Sequence, residues 1–98
     1  MSEQKQTKEI QVAFPDHLKG GVYCNNMMVT HTKEEFIMDF MMIAPPAGAV
    51  TARVIMSPGH MKRMVAALQD NLRKYEASIG KIEEAPEPGK PSIGFHAT

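Results

Sequence analysis

The stretch from Ser57 to Gly80, SPGHMKRMVAALQDNLRKYEASIG, constrains this chain more than any other. Met61, Met64, Val65, Leu68, Leu72, Tyr75 and Ile79 recur at spacings of three and four, one face of a 3.6-residue period. Lys62, Arg63, Gln69, Asp70, Arg73, Lys74 and Glu76 take the other faces. Ser57 can place its hydroxyl on a free amide of the first turn, and Pro58 suits the first helical position, where its missing N–H costs nothing. Gly80 can adopt the conformation that closes a helix. One long amphipathic helix is therefore expected, and its stripe needs a partner surface.

The segments before it alternate. Glu9–Phe14 sets Ile10, Val12 and Phe14 against Gln11 and stops at Pro15, which predicts a short strand. A Gly-Gly turn leads to a second strand over Val22–Thr30, with Tyr23, Asn25, Met27 and Val29 on one side. Glu35–Ile43, EFIMDFMMI, is apolar on both faces apart from Glu35 and Asp39. Thr32 and Glu35 have the spacing of a helical capping box, so a helix is the rival reading there. The short length, the Pro45-Pro46 stop and the lack of a stripe favour a strand buried on both faces. A fourth strand, Val50–Met56, points Val50, Ala52, Val54 and Met56 inward and runs directly into the helix.

The expected fold is α+β: a four-stranded antiparallel meander and one long C-terminal amphipathic helix, in two layers. Residues 9–82 form the single domain. Residues 1–8 and the Pro- and Glu-containing 83–98 are read as disordered tails. A core this small is marginal alone, and one helix cannot cover both faces of the Glu35–Ile43 strand. A homodimer or higher homo-oligomer is expected to cover the second face.

Eleven Lys and Arg balance eleven Asp and Glu, which argues against a general nucleic-acid or membrane-surface binder. One cysteine, Cys24, excludes an intrachain disulfide and suits a reducing, cytoplasmic setting. The N-terminus lacks the apolar core of a signal peptide, and no apolar run is long enough to span a membrane.

YCNNMMVTHTKEEFIMDF, followed by ARVIMSPGHMKRMVAALQDNLRKYEASIG, resembles the DUF3467-type family of small bacterial and archaeal proteins. The matching features are the HTKEEF turn, the strand ending in IMSP, the HMKR helix start and the NLRKYE segment with its closing glycine. The resemblance covers roughly residues 21 to 82. It implies no activity, no cofactor and no catalytic residue. Four strands and then a long helix also resembles the topology of SecB-type export chaperones.

Candidate chemistry is sparse. The four histidines, Cys24 and the methionines show no CxxC or HxxxH pairing of the kind that structural metal sites use, so neither metal nor cofactor is expected. No nucleophile, base and orienting acid can be named together, so no catalytic residue is expected. Ser57, Gly59 and His60 at the helix start form a candidate anion site, although a surface role explains them equally well. Asp39 among Phe and Met needs a partner, and Arg53 on the neighbouring strand is the candidate for a structural ion pair. Eight of nine methionines fall between Met27 and Met64, where they can fill a core or line an adaptable surface. Met28, Ile37, Met41 and Ile43 are the candidate interaction surface.

The leading functional expectation is a non-enzymatic, self-associating protein-interaction module of adaptor or chaperone-like character. The alternative is nucleic-acid binding by an oligomer that gathers Lys62, Arg63, Arg73 and Lys74 from several copies.

Overall fold

The computed structural model describes residues 8–86. The order is a 3-10 turn at Asp16–Leu18, β1 at Asn26–His31, β2 at Phe36–Ala44, β3 at Ala47–Met56 and α1 at Pro58–Ser78. The strands form one antiparallel sheet with β2 in the centre. The chain is thus α+β, with three strands followed by a C-terminal helix. Apart from Lys8 and residues 83–86, the tails expected to be disordered lie outside the described residues.

Among the described residues three of the four expected strands form, and the first, Glu9–Phe14, does not. Glu9–Phe14 alternates as a strand should, but it pairs with nothing, and Ile10 and Val12 are more than four-fifths exposed. Alternation makes a segment fit a sheet without supplying an edge to pair with. β1 also starts later than expected, at Asn26 instead of Val22. Asn25 takes over where the ladder stops: its side-chain amide donates to Ile43 O and its Oδ1 accepts from Ile43 N–H, both at 2.9 Å.

The turn between β1 and β2 is built on Thr32, whose Oγ1 accepts from the amides of Glu34 and Glu35 at 3.1 Å. Thr32 N–H donates to Glu35 O, so the capping-box residues close a hairpin turn here instead of opening a helix. β2 and β3 are joined by Pro45-Pro46 alone, with β3 reaching back to Ala47. At Gly48, opposite Ile43, an added Cβ would sit 3.1 Å from Ile43 Cγ1 and 3.3 Å from Met42 O, so a larger residue there would have to push the Ile43 side chain aside.

One residue is inserted in β3. Phe40 pairs with Ala52 and Met41 with Val50, leaving Thr51 as a bulge whose hydroxyl donates to Phe40 O at 3.3 Å. Val50 consequently lies on the face opposite Ala52, Val54 and Met56, and not with them as simple alternation implies.

The helix begins as expected: Ser57 Oγ accepts from His60 N–H at 3.2 Å, with Pro58 in the first turn. It ends at Ser78, capped by Ile79, and Gly80 follows at φ 149°, a value that favours glycine. The two-layer expectation fails, however. Nothing in α1 is buried, and Val65, Leu68, Leu72, Tyr75 and Ile79 all stay exposed. The joint explains why. Ser57 alone separates β3 from α1, whereas connections that fold a helix back on its sheet usually take about two to six residues. Only Met61 and Met64, near the joint, are half-buried.

Candidate interaction surface

Cross-strand partners share a face of a sheet, so the register sorts every side chain. One face gathers Met27 and Val29 of β1, Phe36, Met38, Phe40 and Met42 of β2, and Ala52, Val54 and Met56 of β3. No charged residue interrupts it; His31 lies at its end, tilted against the Phe36 ring at 5.3 Å between centroids. Met38 in its centre is buried, yet Met27, Val29, Met42 and Val54 are each about two-fifths exposed or more. Monomeric proteins rarely leave large contiguous apolar patches open to water.

The other face carries Met28 and Thr30, then Ile37, Asp39, Met41 and Ile43, then Val50, Arg53 and Ile55. The candidate surface residues Met28, Ile37, Met41 and Ile43 are therefore brought together, around the Asp39–Arg53 pair. Met41 is buried in the single chain, while Met28, Ile37 and Ile43 are half-buried. Val50 and Ile55 on this face are about half exposed, so what sets the opposite face apart is its lack of any charge. Sequence reasoning did not single out Met27, Val29 and Val54; the signal was the lack of any charge at every second position of three consecutive strands.

Arg53 clasps Asp39 with both ends of its fork. Nε donates to Oδ1 at 2.6 Å and Nη2 donates to Oδ2 at 3.0 Å. These hydrogen bonds, helped by the guanidinium charge and opposed by burial, hold the Asp39 carboxyl below its usual value. The same contact raises Arg53 further. Asp39 is buried while Arg53 stays largely exposed, so the pair closes the middle of the mixed face and leaves its cation at the rim.

At the start of α1 one of the amides of the candidate anion site is already used. The His60 amide is committed to Ser57 Oγ, and the His60 ring Nδ1 lies 3.0 Å from Arg63 Nη2. A Cβ at Gly59 would meet nothing within 4 Å. Farther along α1, Lys74 and Arg73 meet Asp70 at 3.2 and 3.9 Å, which dilutes the basic face. Among the described residues no group of three or more His, Cys, Asp or Glu could hold a metal ion, and no helix is long and apolar enough to cross a membrane.

After Gly80 the chain turns back on α1. Ile82 N–H donates to Glu76 Oε2 at 2.9 Å, and Ile82 lines an open apolar groove with Leu68, Asn71, Leu72 and Tyr75.

The family model described as "Protein of unknown function (DUF3467)" matches residues 1–84. No curated protein and no solved structure matches the chain.

Proposed function

This chain belongs to the DUF3467 family, which prescribes no reaction, and we propose that it works as a non-enzymatic, self-associating module that binds polypeptide through apolar surface. One observation carries this reading. Among the described residues only Met38, Met41 and Asp39 are buried, while a charge-free sheet face and a helical stripe stand open. A folded domain is stabilised mainly by apolar burial, and three buried residues supply far too little of it. On this reading association provides the rest.

The polar groups support the non-enzymatic part. Asp39 is held by Arg53, Ser57 by the helix it caps, and His60 lies against Arg63. None is left free beside a nucleophile. A cytoplasmic setting fits Cys24, which is exposed and unpaired.

The test is sedimentation at micromolar concentration combined with binding of a hydrophobic dye and suppression of aggregation of an unfolded client. Stable oligomers that hold a client with little loss in high salt are expected. A stable monomer, or tight salt-sensitive retention of DNA or RNA without a client effect, would overturn the reading.

A further inference from the structure

The exposed stripe of α1 has a stricter spacing than amphipathicity requires. Met61, Val65, Leu68, Leu72, Tyr75 and Ile79 alternate steps of four and three without a break, and Ile82, on the returning chain, lies beside the C-terminal half of the same stripe. A sustained four–three repeat is the seam of a two-helix interface, narrower than the face a helix shows a sheet. We infer that α1 pairs antiparallel with α1 of a second copy of this chain, about a two-fold axis near Asp70. This rests on the self-association proposed above and names the surface and geometry that achieve it.

The flanking residues set the orientation. In an antiparallel pair Leu68 faces the second copy's Leu72, Val65 its Tyr75 and Met61 its Ile79. Lys62 then meets the opposite copy's Glu76, twice by symmetry, and Asn71 meets its own counterpart beside the axis. A parallel pair aligns Met64 with Gln69 and Asn71 with Glu76 instead, leaving Lys62 without an anion. Opposed helix dipoles favour the antiparallel form as well. The Ile82 amide already fixes one oxygen of Glu76 and leaves the other to accept.

The area is sufficient. Val65, Leu68, Leu72, Tyr75 and Ile79 are 44 to 70% exposed in the single chain. With large side chains of about 150–200 Å² each, the stripe offers roughly 500 Å² per copy, so about 1,000 Å² in total reaches the lower bound for a specific interface. The one-residue joint at Ser57 keeps the chain's own sheet from covering this stripe, so it stays available to the second copy.

Sedimentation of the full chain tests the pairing. Leu72→Asp is expected to weaken association about a hundredfold or more, and Lys62→Glu and Glu76→Lys about tenfold each. The double variant Lys62→Glu/Glu76→Lys is expected to return to within about threefold of the wild type, because the charges are exchanged and not lost. In a Cys24→Ser background, Asn71→Cys is expected to form a disulfide-linked dimer on mild oxidation, whereas Lys62→Cys, about 24 Å from its counterpart along the axis, is not. If Leu72→Asp fails to fold, the charge exchange and the Asn71 cross-link decide alone. A dimer that ignores the charge exchange and does not cross-link at Asn71 overturns this inference while leaving self-association in place; a wild-type monomer overturns both.

Discussion

Replacing Leu68 by alanine removes a side chain at the middle of the helical stripe that is 55% exposed in the single chain. Within one protomer the change should cost about 1 kcal/mol or less, because half of the apolar surface is still in water and no cavity can form. In a paired helix the same leucine is enclosed, and truncation should cost about 2–5 kcal/mol per copy. The difference, roughly 2 kcal/mol at each of two positions per dimer, corresponds to about a thousandfold in the dissociation constant. Urea denaturation followed by circular dichroism over a wide range of protein concentration separates the two contributions, because association makes the midpoint rise with concentration. The variant should show a lower midpoint and a concentration dependence displaced to higher protein concentration. A midpoint that neither depends on concentration in the wild type nor falls by more than the single-chain cost in the variant would refute the reasoning.

Three further outcomes follow from the sheet and the helix start. The folded Asp39 carboxyl lies below its usual value of 3.8, so its stabilising contribution is complete above about that pH and is lost as pH falls through the depressed value. Asp39→Asn should therefore lower stability near neutrality and flatten its decline as pH falls below the usual value of 3.8, as read from urea midpoints; an unchanged acid limb would show that another group carries it. Asn25→Ala removes both hydrogen bonds to the Ile43 main chain and should cost about 1–2 kcal/mol, with faster amide exchange at Ile43. Equal protection of Ile43 in both proteins would mean that the ladder holds without the clamp. Ser57→Ala should cost about 1 kcal/mol and fray the first turn of α1, visible in exchange of the His60 amide, whereas Ser57→Asp should keep it capped.

Local chemistry alone determined a good deal of this protein. Ser57 and Pro58 start α1, and Gly80 stops it, because a side-chain acceptor, a ring-fixed φ and a missing Cβ act within a few residues of the backbone they serve. The apolar run of β2, bounded by Pro45-Pro46, has only a sheet to go to, and Asp39 within it demands a cation on an adjoining strand. Other features depend on what lies across space. Glu9–Phe14 has the alternation of a strand and yet pairs with neither edge of the sheet, β1 or β3. Thr32 and Glu35 have the spacing of a helix cap and serve a hairpin, because β2 pairs with β1 on one side and β3 on the other. The extra residue at Thr51 moves Val50 to the opposite face, an event of register that no periodicity contains. The open stripe of α1 is also a tertiary result: hydrophobic spacing states that a helix must be covered, but the single residue joining it to β3 decides that its own sheet is not the cover.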